Sequence, residues 1–449
     1  MRGYNLPIRI IIRACFLAAD EKLMGTRNGI ARGGGLKAGD RTVRTGELGT
    51  PHGWTKTSLV GLLLLALIIA SVLTGCSSRE PAREEPGDGP FNVGLRIVHF
   101  DYGRPDGSVE TVTAAVWYPA TDEPLPYTYY SAGDYRSEVA LDSPLDASGA
   151  PYPLVFFAHG GYGCGYDSAF FTEYLAARGY VVVAPDFVDT SPPLYEEQLA
   201  FGRIGEGDTG SIREVLAVAQ RFVEDMEGKR ELLLSYLSEH RLNHVSFVLD
   251  EILAENVEPS SFLCGAIDEK ALGISGHSLG GVTALGKIGA HPDVSFRDDR
   301  FKAALLLSTP AYPFEQSLQN IAVPTMLMVG DDDPAFLHPE LPRHVTFDNA
   351  IPPKYLAIVW DANHFAFSNR VCGSTPLYLA AENDSKINAI CRYGLDLFEA
   401  YLQGSSFALA ELREPDPAFV YYAWEEIPGE LHKWGEEPSG GGQSGGNGG

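Results

Sequence analysis

Ser278 stands at the end of Leu272-Gly273-Ile274-Ser275-Gly276-His277-Ser278-Leu279-Gly280-Gly281. This apolar, strand-like run closes in G-x-S-x-G and continues into the helix-compatible Val282-Thr283-Ala284-Leu285-Gly286-Lys287. That order spells a nucleophile elbow, a strand-to-helix turn tight enough to force the serine into a strained conformation with its hydroxyl exposed. Gly276 and Gly280 are small because the flanking backbones pass close to each other there. The first amides of the following helix lack intrahelical partners, so the Leu279 N–H is available to a developing oxyanion. A serine hydroxyl is a poor nucleophile until a base takes its proton, and the base needs an acid to orient it. Where this elbow occurs, the partners follow in the order Ser, Asp or Glu, His.

Downstream candidates are few. Met328-Val329-Gly330-Asp331-Asp332-Asp333-Pro334 closes an apolar strand at its C-terminal end, where parallel sheets carry their site residues. By residue type any of the three carboxylates suits the acid, and Asp331 and Asp332 equally suit a solvated turn. For the base, His364 in Asp361-Ala362-Asn363-His364-Phe365 directly follows the last apolar run and has the required order. His338 and His344 lie in Pro-rich loop, and His291 follows the elbow helix. The second oxyanion amide belongs to the loop after the first buried parallel strand. His159-Gly160-Gly161 is that loop, and its glycines let backbone approach a substrate closely. We expect the Gly161 N–H to pair with that of Leu279, with His159 structural.

The elements that must carry these residues alternate strand and helix. Residues 94–100 and 112–118 alternate as two strands around the turn Arg104-Pro105-Asp106-Gly107. Residues 120–150, rich in Pro, Tyr, Ser and Asp, are expected to be loop. Leu154-Val155-Phe156-Phe157-Ala158 and Tyr180-Val181-Val182-Val183-Ala184 are continuous apolar runs, as strands buried on both faces require. A helix is expected over 169–178. Residues 194–256 turn charged and helix-spaced, and are expected to be a helical insertion over the site. Runs at 303–307, 325–329 and 355–360 complete the sheet, and a last helix spans 387–402. The fold class is α/β, a mostly parallel central sheet flanked by helices, with the helical insertion before the nucleophile strand.

The ends of the 449-residue chain read differently. Residues 1–75 are a leader: an unpatterned Gly- and Arg-containing stretch, then an uncharged apolar run at 59–73. The ending Leu73-Thr74-Gly75-Cys76 resembles the lipobox of bacterial lipoproteins, and that resemblance puts a lipid on Cys76 and the domain outside the cytoplasm. The other reading of this run is an uncleaved signal anchor. Residues 76–90 read as a tethered linker, 91–435 as the folded domain, and 436–449 as a disordered Gly-rich tail. Ten of the 34 basic and four of the 59 acidic residues lie in 1–75, which leaves 24 against 55 and a net charge of −31. So acidic a surface excludes nucleic acid and electrostatic adsorption to anionic lipid, so any membrane attachment comes from the lipid chain. Of six cysteines, Cys164, Cys264, Cys372 and Cys391 fall in the folded part, and an exported domain allows oxidation. Cys372 and Cys391 share one segment and are the preferred pair. No C-x-x-C or His-rich spacing suggests a metal.

Ala158-His159-Gly160-Gly161, Gly179-Tyr180-Val181-Val182-Val183-Ala184-Pro185-Asp186, Val245-Ser246-Phe247-Val248-Leu249-Asp250, Gly276-His277-Ser278-Leu279-Gly280-Gly281 and His364-Phe365-Ala366-Phe367 together resemble the α/β-hydrolases. Among them the chain is most similar to the platelet-activating-factor acetylhydrolase-like and dienelactone-hydrolase-like enzymes, a likeness that Val116-Trp117-Tyr118-Pro119-Ala120 shares and that covers about residues 91–403. The resemblance implies an α/β-hydrolase fold, carboxylic-ester hydrolysis of a small-molecule or lipid ester, no cofactor, and a Ser278/Asp333/His364 triad. Within it Asp333 fits the G-x-x-D spacing of related hydrolases better than Asp331. Dienelactone hydrolases carry a cysteine nucleophile where this chain has Ser278, which separates it from their substrate. Two rivals remain at this stage. One is an acyltransferase on the same fold, in which an alcohol replaces water. The other is a catalytically inactive surface-binding module.

Overall fold

Consecutive apolar residues here become strands sealed on both faces. The computed structural model describes residues 91–436 apart from 105–106, 132, 162, 188–225, 312, 334–343 and 370–383. Every described residue lies in one compact unit, Pro90–Gly449. Cys76, the leader, the linker, the first half of the insertion, Cys372 and the Gly-rich tail fall outside the described residues. No helix among the described residues is long and apolar enough to cross a membrane.

Among the described residues twelve strands form one sheet, numbered in chain order and lying side by side as β12-β11-β10-β9-β8-β7-β5-β6-β2-β1-β4-β3. Its centre is parallel: β6 (Val181–Pro185), β5 (Tyr152–Ala158), β7 (Ile267–His277), β8 (Phe301–Leu307), β9 (Thr325–Gly330) and β10 (Lys354–Val359). β1 (Asn92–Gly103) and β2 (Val109–Ala120) flank it as an antiparallel pair, with β2 antiparallel to β6. Every residue of β5, β6, β9 and β10 is buried. The period of two sends alternate residues to opposite faces. Val155 and Phe157 enter one core with the helices Ala169–Ala176 and Ser385–Leu402, while Leu154 and Phe156 enter the other with the elbow helix Leu279–Leu285.

Two sequence expectations need correction. Residues 120–150 are not loop throughout: β3 (Leu125–Ser131) and β4 (Gly133–Leu141) form an antiparallel hairpin. Tyr and Thr favour a pleated surface despite the neighbouring prolines, and the hairpin is tied down by burial. Tyr129, fully buried, accepts from Trp117 Nε1 and donates to Glu173. The sheet also does not end at β10, since β11 (Phe419–Glu425) and β12 (Leu431–Gly435) continue it antiparallel. The described half of the insertion is helical, as expected, and its last helix packs into the core. Helix Met226–Leu237 runs through a π-helical turn, Ser238–Leu242, into helix Asn243–Val257. In the latter, Val245, Val248, Leu249 and Ile252 are spaced for one helical face and are fully buried with the strand side chains.

Candidate active site

The side chains of interest gather at the C-terminal ends of the parallel strands, each lifted there by its own strand. Ser278 follows β7 with φ 55 and ψ −120, a conformation that side-chain-bearing residues rarely adopt, and its N–H donates to Leu307 O at 2.9 Å. The turn closes because both glycines are needed. A Cβ on Gly276 would overlap the backbone of Gly280, and one on Gly280 would overlap the carbonyl of Ala158. Larger residues at either position would push the helix off the strand.

Asp333, three residues past β9, is fully buried. His364 opens a short 3₁₀ turn, His364–Phe367, after β10, and the Asn363 side chain caps that turn by accepting the Phe365 N–H at 2.9 Å. His364 Nε2 lies 2.9 Å from Ser278 Oγ, and its Nδ1 lies 3.1 and 3.0 Å from the two Asp333 oxygens. The three residues picked from sequence thus stand in hydrogen-bonding sequence, serine to histidine to carboxylate. Asp331 does something else: its carboxylate accepts the Ala362 N–H at 3.1 Å and so braces the loop that carries His364. His277 steadies the same loop, with Nε2 2.7 Å from the His364 carbonyl oxygen, so that nitrogen carries the proton it donates.

The loop after β5 passes over the elbow. A Cβ on Gly160 would lie 3.5 Å from Ser278 Cβ, and one on Gly161 3.5 Å from Leu279 Cδ2. Gly161 and Leu279, the sequence candidates for the two amide donors, are therefore neighbours beside the serine. His159 is buried and serves the loop itself. The Phe187 N–H donates to its Nε2 at 3.1 Å, which leaves the proton on Nδ1 for Gly160 O at 2.7 Å. Cys164, further along the loop, is buried, and burial pushes its thiol well above the ordinary cysteine range. It stays protonated and does not compete as a nucleophile. Cys391 is buried in helix Ser385–Leu402, and its expected partner Cys372 lies outside the described residues.

Ser308 escaped the sequence reading. It is fully buried at the end of β8 with φ 48, its N–H bonded to Met328 O at 2.7 Å. Its hydroxyl donates to Asp333 Oδ2 and lies 3.3 Å from His364 Nδ1. The only signal was position, a hydroxyl residue directly after an apolar strand. A hydrogen bond to a charged group contributes on the order of 1.5 kcal/mol or more, which as barrier height is about tenfold in rate. Ser308→Ala is therefore expected to lower kcat roughly tenfold with KM unchanged, measured on any ester the protein turns over. An unchanged kcat would reduce Ser308 to a packing residue.

No family model matches the chain. Among solved structures it is similar to a ferulic acid esterase from Streptomyces cinnamoneus, with a TM-score of 0.50 and 18% sequence identity over 75% of this chain and 96% of that chain. That likeness and the strand order, with β2 antiparallel beside β6 and β5 inside the parallel set, define an α/β-hydrolase fold.

Proposed function

We propose that the protein is a serine carboxylic-ester hydrolase, exported from the cytoplasm and tethered by a lipid on Cys76. The observation that carries the chemistry is the continuous run from Ser278 Oγ through His364 to buried Asp333, mounted on a serine with φ 55. Ser278 Oγ attacks the ester carbonyl while His364 Nε2 takes its proton. Asp333 holds the Nδ1–H tautomer and stabilises the imidazolium. The Leu279 and Gly161 amides receive the oxyanion of the tetrahedral intermediate. His364 then returns the proton to the departing alcohol, which leaves an acyl-Ser278 that water, activated by the same histidine, hydrolyses. The esterase activity of the structural neighbour agrees with this reading.

A panel of p-nitrophenyl esters of increasing acyl length, with methyl ferulate as an aromatic arm, tests the activity and sorts the acyl group in one experiment. No turnover on any ester, with no fluorophosphonate labelling of Ser278, would withdraw the esterase reading. The tether rests on Leu73-Thr74-Gly75-Cys76 at the end of an uncharged apolar run. Cys76→Ser is expected to lose metabolic palmitate labelling and leave uncleaved precursor or soluble protein. Unchanged membrane partition would favour a signal anchor.

A further inference from the structure

We propose that Arg241, in the π-helical turn before helix Asn243–Val257, is a positioning residue that sets the oxyanion-side amide of Gly161; the inference rests on the esterase reading above. Arg241 is fully buried. Its Nη1 donates to His159 O at 2.8 Å and its Nη2 to Gly160 O at 3.4 Å, and the group lies over the Phe187 ring at 4.4 Å from its centroid. Taking a guanidinium out of water is costly unless its donors are satisfied. Its forked shape here reaches two successive carbonyls, which a lysine ammonium on a flexible stem does less well.

The effect on the amide follows from peptide geometry. The Gly160–Gly161 bond is not among the cis peptides, so it is trans, and in a trans plane the C=O and the next N–H point in opposite directions. Gly160 O is held by three donors: Arg241 Nη2, His159 Nδ1 and the Gly163 N–H at 3.1 Å. Fixing that carbonyl fixes the plane, and so aims the Gly161 N–H away from Arg241. A glycine pair would otherwise leave the plane free to turn, because φ and ψ on both sides are nearly unrestricted. Cationic pull on the carbonyl also polarises the peptide, which makes its N–H a stronger donor. The second half of the insertion thereby takes part in catalysis from behind the loop. Arg241 lies within this π turn, and such turns are frequent at functional sites.

The test compares wild type with Arg241→Met, Arg241→Gln and Arg241→Lys on one p-nitrophenyl ester, and measures affinity for a trifluoromethyl ketone, which forms the oxyanion on Ser278. Deleting one oxyanion donor outright costs on the order of 10²–10³ in kcat, and misaiming one should cost less. Arg241→Met is expected to lower kcat by about ten- to a hundredfold, with KM within about threefold. Ketone affinity should fall by the same factor as kcat. Arg241→Lys, which keeps the cation but only one donor nitrogen in place of the fork, should recover part of both losses. Folding is checked by circular dichroism, and if the Met variant does not fold, the same parallel loss is read from Arg241→Gln and Arg241→Lys. A folded variant with undiminished kcat overturns the inference, as does a kcat loss without loss of ketone affinity. Wild type inactive on every ester would instead withdraw the esterase reading itself, so the two failures are distinguishable.

Discussion

Ser278→Ala is expected to lower kcat for ester hydrolysis by on the order of 10⁶, as loss of the nucleophile does where a triad acts as a unit. The size follows from the arrangement. His364 Nε2, 2.9 Å from the serine oxygen, has no other proton to take at that point, and the amides beside it have no covalent intermediate to stabilise. The fold should survive, because Ser278 is only half buried and its side chain sits at the surface of the elbow rather than in either core. Backbone strain gives a second readout. At φ 55 and ψ −120 alanine keeps the strain of serine, while glycine releases a part of about 1–3 kcal/mol. Ser278→Gly should then unfold at a higher temperature than Ser278→Ala while being equally inactive. Turnover within tenfold of wild type in either variant would remove Ser278 as nucleophile.

Asp333→Asn carries the next largest effect, about 10⁴ in kcat. An asparagine amide in that buried position presents an N–H₂ group to His364 Nδ1, so the ring proton moves to Nε2 and the nitrogen facing Ser278 can no longer accept. Ser308, which donates to Asp333 in the native site, gains nothing that restores the tautomer. Asp331→Asn is the control. Its Oδ1 accepts the Ala362 N–H, and an asparagine oxygen does the same, so kcat should stay within about threefold, the loss of one neutralised acceptor being small. Both variants are read by steady-state kinetics on the preferred ester. A large effect at Asp331 and a small one at Asp333 would exchange their roles.

Much of the central sheet was legible because burial on both faces leaves few alternatives. Leu154–Ala158 and Val181–Ala184 are apolar at every position, and a run that short and that apolar has nowhere to go but the middle of a parallel sheet. The hairpin β3–β4 was not legible, since Leu125-Pro126-Tyr127-Thr128-Tyr129-Tyr130 has the composition of a loop and becomes strand through contacts distant in sequence, such as Tyr129 with Glu173. Strands β11 and β12 were missed for a related reason. An edge pair is specified by its partner strand more than by its own pattern, and β12 is exposed along its whole length.

The sequence by itself determined the elbow. Gly276, Ser278 and Gly280 at fixed spacing between an apolar strand and a helix permit one backbone path, because any Cβ at either glycine would overlap backbone. It also determined which histidine and which short acidic run could reach that elbow, since strand order fixes which strand ends meet. Only the tertiary structure decided the rest. Two residues of register separate Asp331, which braces a loop, from Asp333, buried against His364, and composition does not resolve so short a step, although the G-x-x-D spacing of the resemblance points to Asp333. Ser308 and Arg241 carry no motif at all. A serine after a strand and an arginine in an amphipathic helix are ordinary in sequence, and they become particular only when 25 residues of chain bring Ser308 onto Asp333 and 82 bring Arg241 onto the His159 carbonyl.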